Sequence, residues 1–285
     1  MARIAFVNGR YLPIDAPAVQ AEDRGLQFAD SVYEVWTVRD GRFLDSTGHF
    51  RRLLRSLDEL RIPHPMSVAA LDVALKETLR RNRLKDATVY LQVTRGTARR
   101  DHGFPAADTR PTVIITARPS SSAAGDARAE RGVAVITRPD TRWARCDIKT
   151  TGLLANVLAK QDARETGAWE AWLVDTEGRV TEGTSTNAWI VTSDGVLVTR
   201  PITDNILHGV TRAAVIEAAR AEGHTVEERG FTLEEAHAAR EAFITSATSL
   251  ATPVVEIDGR PVGNGAPGSV ATRLRELYLA SAHER

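Results

Sequence analysis

The sequence predicts an α/β protein of two domains, each a mainly antiparallel sheet packed with helices. Three observations carry that expectation. Short strand-forming runs meet at glycine-containing turns, as in "IAFVNGRYL", "VWTVRDGRFL", "WLVDTEGRVT", "WIVTSDGVLVT" and "VVEIDGRPV". Segments with apolar residues at helical spacing lie among them. Near the middle, "PSSSAAGDARAERG" interrupts both patterns and reads as a linker.

Asn8-Gly9 and Asp40-Gly41 suit the positive φ angles of two-residue hairpin turns, so antiparallel pairing is expected around each. "HFRRLLRSLDELRI" places Phe50, Leu53, Leu54, Leu57 and Leu60 on one helical stripe. "SVAALDVALKETLRRN" reads as a second helix. The strand "PTVIITAR" closes the first half, and strand signal resumes at "GVAVITR". The boundary therefore falls near residues 119–125, giving a smaller domain over 1–119, a linker at 120–124 and a larger domain over 125–285. In the second half, "TTGLLANVLAKQDARETG" predicts a helix with Thr150 or Thr151 near its N-cap and an apolar stripe of Leu153, Leu154, Val157 and Leu158. Asn156, Lys160 and Arg164 then share the solvated face, and Lys160 reads as surface charge. "TRAAVIEAARAEG" is a helix that ends at Gly223. No internal repeat is visible.

The 285 residues balance 37 basic against 37 acidic side chains. With no basic excess to attract phosphates, neither nucleic acid nor an acidic membrane is an expected partner, and a small molecule is the default ligand. Cys146 is the single cysteine, so no internal disulfide can form. No stretch approaches the roughly 20 apolar residues that span a bilayer. The N-terminal apolar run breaks early at Asn8-Gly9, and a cytoplasmic location is expected. His49, His64, His208, His224, His237 and His283 show no metal-ligand spacing, so no metal is expected.

Only four lysines stand among the 37 basic residues, and one, Lys149, lies at a strand-to-helix junction. Arginine stays charged, whereas a desolvated lysine can lose its proton and form a Schiff base. Glu182 in "VTEGTSTNAWIV" is either part of a polar turn or a carboxylate that keeps a ring nitrogen protonated, with Ser185, Thr186 and Asn187 satisfying nearby backbone. Gly209, Val210 and Thr211 open a helix, which is an ordinary N-terminus or a phosphate site. In "RGTARRDHGFP", Arg100 and His102 point the same way if the chain is extended. They form either a basic exposed loop or a fork for a carboxylate. Tyr33 is a half-buried strand residue or a substrate contact. An amine, a carboxylate and a phosphate cradle together suit pyridoxal phosphate, a cofactor that carries its own chemistry.

The segments "EDRGLQFADSVYEVWTVRDGRF", "YLQVTRGTARRDHGFP", "RWARCDIKTTGLLANVLAKQDA", "VTEGTSTNAWIV", "ILHGVTR" and "FITSATSLATPVVEIDG" occur in an order that resembles the fold-type IV pyridoxal-phosphate aminotransferases, their D-amino-acid branch in particular. The resemblance runs over nearly the whole chain. It implies a cofactor held between the two domains, with the larger domain binding it. Lys149 would join it as a Schiff base and Glu182 would face the pyridine nitrogen. Arg52, a solvated helix residue by periodicity alone, would hold the phosphate. The Val210, Thr211 and Ala247 amides and the Thr211 and Ser246 hydroxyls complete the phosphate cup, and Leu207 packs against the ring. Arg100 and His102, reaching from the neighbouring subunit of a homodimer, would join Tyr33 in trapping the substrate carboxylate. Ala29 and Ser31 stand where the family often has glycine, Asp101 lies between the trap residues, and Ala247 replaces an occasional hydroxyl.

What the resemblance implies is a D-amino-acid transaminase of the D-alanine and D-glutamate class. Lys149 would move a proton from Cα to the cofactor, and 2-oxoglutarate or pyruvate would accept the amino group as the cofactor returns from its pyridoxamine form. Three alternatives share the cofactor: a branched-chain aminotransferase, an (R)-amine transaminase and an aminodeoxychorismate lyase. The first lacks the R-x-H pair, the second has no need of it, and the third eliminates pyruvate. A non-catalytic two-domain binding protein would not require Lys149, Glu182 and Arg52 together.

Overall fold

The computed structural model describes residues 3–282, so His283 lies outside the described residues. The chain divides into two compact units. One takes the chain up to Ser121 together with Ile148–Gly152; the other takes Ser122–Asp147 and the chain from Leu153 onward.

The first unit contains β1 (Ile4–Val7), β2 (Arg10–Pro13), α1 (Arg24–Phe28), β3 (Ser31–Arg39), β4 (Arg42–Phe43), α2 (Ser46–Glu59), α3 (Val68–Arg81), β5 (Ala87–Thr94) and β6 (Thr112–Pro119). Its sheet runs β2-β1-β6-β5-β3-β4 with every pairing antiparallel. Asn8-Gly9 (φ 47° and 84°) and Asp40-Gly41 (φ 49° and 76°) turn its two hairpins with both central residues left-handed, as the sequence predicts. From α2, Phe50, Leu53 and Leu57 meet Trp36, Val89 and Leu91 of the sheet in one core. A fully buried leucine such as Leu57 contributes about 2 kcal/mol. Because β4 pairs only with Val38 and Arg39, the first residues of β3 have an open edge. The segment 148–151 covers it, with Thr150 bridging Val32 in antiparallel sense.

The second unit opens with α4 (Ser122–Arg131), so most of the Ser/Ala-rich stretch expected as linker is helical. Alanine is a strong helix former, and that favours the helix over an open loop. There follow β7 (Val133–Pro139), α5 (Leu154–Glu165), β8 (Glu170–Val174), β9 (Val180–Gly183), β10 (Asn187–Val191), β11 (Leu197–Thr199), α6 (Val210–Ala221), β12 (Val226–Glu228), α7 (Leu233–Ala238), β13 (Glu241–Ser246), β14 (Leu250–Ile257), β15 (Arg260–Pro261) and α8 (Ser269–Ser281). The sheet runs β12-β11-β10-β13-β14-β7-β8-β9, and β15 pairs with β14. It is mixed: β11–β12, β7–β14 and β7–β8 are parallel and the other pairings antiparallel. Gly223 stands just past α6 at φ 83°, the left-handed cap its position predicts. Among the described residues, no helix is long and apolar enough to cross a membrane.

Helix α5 departs from expectation in two ways. It begins at Leu154, and Thr150 and Thr151 do not cap it. Thr151 instead bonds Ser31 through both hydroxyls, while Thr150 Oγ1 accepts the Gly152 N–H at 3.3 Å. The helix is also turned. Leu154, Val157 and Leu158 are 72, 57 and 62% exposed, whereas Ala159 and Ala163 are buried. Lys160 faces the protein, its amine 3.6 Å from Oε1 of the fully buried Glu170.

Candidate active site

Lys149 sits on the strap that covers the β3 edge. Its carbonyl accepts the Tyr33 N–H at 2.9 Å, and its own N–H donates to Ser56 Oγ at 3.3 Å. Main-chain groups thus fix the residue and leave the side chain free of structural duty. The amine lies 4.2 Å from the centroid of the Tyr33 ring and, among the described residues, makes no ion pair. Tyr33 is half-buried and stacks on Tyr90 with centroids 5.5 Å apart. Tyr90 donates to Gln92 Oε1 at 2.9 Å, and Gln92 donates to Ser31 Oγ at 3.3 Å. Ser31 therefore ties the strap to β3. Burial, then the neighbouring Tyr33, pushes the Tyr90 phenol above its usual range, so it stays protonated and donates.

Arg52 is buried on the inner face of α2, against the periodicity that assigned it to solvent. The reason is Glu34 on β3, fully buried, which accepts Arg52 Nε at 2.7 Å and Nη2 at 2.8 Å. His49 Nδ1 is 2.7 Å from the same carboxylate. Burial alone would raise the Glu34 carboxyl, but Arg52 and His49 outweigh it and hold it well below the carboxylate range. Burial lowers the His49 imidazole despite the opposing pull of Glu34, so His49 is neutral at pH 7 and donates through Nδ1–H.

Arg100 and His102 are exposed and lie over one ring. The Arg100 guanidinium is 5.1 Å from the Phe28 centroid, and the His102 ring is 5.5 Å from it. Among the described residues, neither has a hydrogen bond or ring contact with Tyr33 or Lys149. Asp101 pairs with neither Arg99 nor His102; its Oδ1 accepts the Gly103 N–H at 3.1 Å and closes a turn. Ala29 ends α1 in the left-handed region at φ 53°, a conformation that costs a residue with Cβ about 1 kcal/mol.

In the second unit, Glu182 is 4% exposed on β9. Its carboxylate accepts Asn187 Nδ2 at 2.9 Å and the Leu207 N–H at 3.1 Å, and it is paired with Arg142. Asn187 also donates to the Leu207 carbonyl at 3.1 Å. A Cβ on Gly209 would collide with Asn187 Oδ1, so glycine is required there and one amide joins Glu182 to the start of α6. Ser185 and Thr186, expected to satisfy backbone groups, bond the buried Glu170 instead. Arg142 escaped the sequence reading. Its signal is Asp140 two residues earlier, which accepts it at 2.7 Å and is held below its usual range by the same arginine against the effect of burial. Burial pushes the half-buried Cys146 thiol up to about 11, aided by Glu182, Asp140 and Asp147 and opposed by Arg142.

Helix α6 starts at Val210 with Gly209 as N-cap and no side-chain cap. The first N–H groups of any helix lack intrahelical acceptors. Thr211 Oγ1 beside them is buried and, among the described residues, has no hydrogen-bond partner. Ser246 ends β13, its hydroxyl accepting the Ser249 N–H at 3.0 Å, and Ala247 follows in the turn. Open amides, an orphaned hydroxyl and a glycine that admits no side chain fit a phosphate group.

The amino-transferase class IV family matches residues 31–257. Over 277 residues the chain is 41% identical to a D-alanine aminotransferase of Bacillus licheniformis, covering 96% of each. It is 36% identical to the D-alanine aminotransferase of Staphylococcus haemolyticus over 96% of this chain and 95% of that protein. Among solved structures, the branched-chain amino acid aminotransferase of Escherichia coli superposes with a TM-score of 0.89 at 28% identity, covering 99% of this chain and 95% of that one. A hypothetical aminotransferase from Mycobacterium tuberculosis, in its PLP-bound form, gives 0.86 at 25%, covering 99% and 100%.

Proposed function

The chain belongs to the class IV aminotransferases, and from that premise we propose that it transfers the amino group of a D-amino acid of the D-alanine class to a 2-oxo acid, with pyridoxal 5'-phosphate as cofactor. The observation that carries this reading is Lys149, an amine held by its main chain beside Tyr33 and, among the described residues, without an ion pair. The 41% identity to a D-alanine aminotransferase supports the D-branch over the branched-chain enzyme of Escherichia coli, whose likeness lies at 28%.

When bound, the cofactor supplies an electron sink for a carbanion at the substrate Cα. Lys149 would move the substrate Cα proton, as base and then acid. Glu182, fixed by Asn187 and the Leu207 amide, would face the ring nitrogen and keep it protonated. Arg142 is paired with the same carboxylate and helps to fix it. Arg52, the amides of Val210, Thr211 and Ala247 and the hydroxyls of Thr211 and Ser246 would hold the phosphate, with Leu207 against the ring. Tyr33 would bind the substrate carboxylate together with Arg100 and His102 of a partner subunit. The exposed stripe of Leu154, Val157 and Leu158 supports a homodimer.

The test is an absorbance spectrum of the protein loaded with pyridoxal phosphate, recorded before and after D-alanine and then L-alanine. The proposal expects a change in the cofactor's visible band and release of pyruvate with D-alanine only. Equal bleaching by L-alanine would overturn the D-selectivity, and no band at all would discard the cofactor.

A further inference from the structure

Among the described residues, the loop that carries Arg100 and His102 makes no side-chain hydrogen bond through either residue, so its shape comes from elsewhere. Arg24 supplies it. Only 4% exposed, Arg24 donates Nη1 to the Asp101 carbonyl at 2.7 Å and reaches the His102 carbonyl with Nη2 at 3.5 Å. These are the main-chain oxygens next to the two trap side chains. Its Nε donates to Asp30 Oδ2 at 2.8 Å. Asp30 is shared: Arg95 donates to it through Nε at 2.7 Å and Nη2 at 2.9 Å, and also grips the carbonyls of Leu60 and Arg61 at 2.8 and 2.9 Å. Phe28, one helical turn after Arg24, is the ring against which Arg100 and His102 lie.

We infer that Arg24, aimed by Asp30, is a positioning residue for substrate specificity: it fixes the backbone from which Arg100 and His102 project. This rests on the reading of those two as the carboxylate trap. A guanidinium meets three oxygens at once through a planar fork, whereas lysine offers one point charge. Arg24→Lys should therefore loosen the loop without removing its charge. Because the trap acts on the α-carboxylate and not on the cofactor, the loss should appear in substrate affinity.

The experiment compares the holoenzyme with Arg24→Lys, Arg100→Ala and the double variant. Readouts are KM and kcat for D-alanine and for 2-oxoglutarate, and the dissociation constant for pyridoxal phosphate. Expected is a rise in both KM values of about tenfold for Arg24→Lys, with kcat within about threefold, cofactor affinity unchanged, and little further rise when Arg100→Ala is combined with it. Asp30→Asn, which withdraws the carboxylate that aims Arg24, should show the same split and serves if Arg24→Lys does not fold. If Arg100→Ala raises KM but Arg24→Lys and Asp30→Asn leave it unchanged, the positioning role is overturned while the trap survives. If Arg100→Ala leaves KM unchanged, the trap reading itself fails and the inference falls with it. Equal losses of cofactor affinity and kcat in Arg24→Lys and Asp30→Asn would mark a purely structural role and also overturn the inference.

Discussion

Glu34 holds Arg52 by two hydrogen bonds, Nε to Oε1 at 2.7 Å and Nη2 to Oε2 at 2.8 Å, with the carboxylate fully buried. The pair sets the direction of a cation that would otherwise have many rotamers. It also leaves Arg52 dependent on its partner, because a buried guanidinium without a carboxylate is strongly disfavoured.

Glu34→Gln should therefore destabilise the protein by about 3 kcal/mol at pH 7, read as a lower urea midpoint. The folded carboxyl lies below its unfolded value, so the stabilisation is complete above about pH 5 and is lost as pH falls toward the folded value. The gap between the two proteins should accordingly narrow in acid. A gap that widens below pH 4 would contradict the pairing.

Lys149→Ala should abolish turnover yet leave the fold nearly intact. The bonds that seat residue 149 against Tyr33 of β3 and Ser56 of α2 come from its main chain, so alanine keeps them. What is lost is the contact over Tyr33, about 1 kcal/mol or less. Thermal unfolding beside an assay with D-alanine separates the two effects. A large drop in the midpoint, or continued multiple turnover, would count against the assigned role.

Cys146 is poised to look reactive and to behave otherwise. With its thiol pushed up to about 11, little thiolate exists at pH 7. Alkylation by iodoacetamide should be slow at pH 7 and keep accelerating past pH 9 without a plateau. Cys146→Ser should leave kcat/KM within about twofold.

Lys160→Met distinguishes a plain surface lysine from the half-exposed partner of a buried carboxylate. An exposed pair would cost about 0.5 kcal/mol or less. Here the amine faces Glu170, a fully buried carboxylate otherwise held by hydroxyls and one backbone amide. The expected loss is about 2 kcal/mol, measured as a shift in the urea midpoint.

Lys160 also shows where periodicity stops being informative. The hairpins, the α2 core stripe and the start of α6 were legible because turn chemistry and apolar spacing act locally. On α5 the same logic inverted the helix. Its leucines and valine are exposed while two polar side chains turn inward, Asn156 donating to the Thr184 carbonyl and Lys160 meeting Glu170. Arg52 fails for the same reason, its partner lying 18 residues earlier on β3. The carboxylates that Arg52 and Lys160 meet lie on neighbouring strands, β3 and β8, which helical spacing does not read. Arg24 and Arg142 have a carboxylate close in sequence, Asp30 and Asp140, but the carbonyls they grip, of Asp101, His102 and Asn205, come from distant segments.

The inverted face of α5 yields the last prediction. Leu154, Val157 and Leu158 recur at i, i+3 and i+4 and so form one apolar stripe in water. Burying each against a second copy would contribute about 2 kcal/mol. Leu158→Asp should break that association, because a carboxylate cannot be buried there without a partner. Sedimentation should show the parent as a dimer and the variant as a folded monomer. If Arg100 and His102 act on the neighbouring subunit, the variant should also lose its affinity for D-alanine while Lys149 and Glu182 remain in place. A variant that stays dimeric with unchanged KM would remove α5 from the interface. A monomer with full affinity for D-alanine would place the carboxylate trap within one chain.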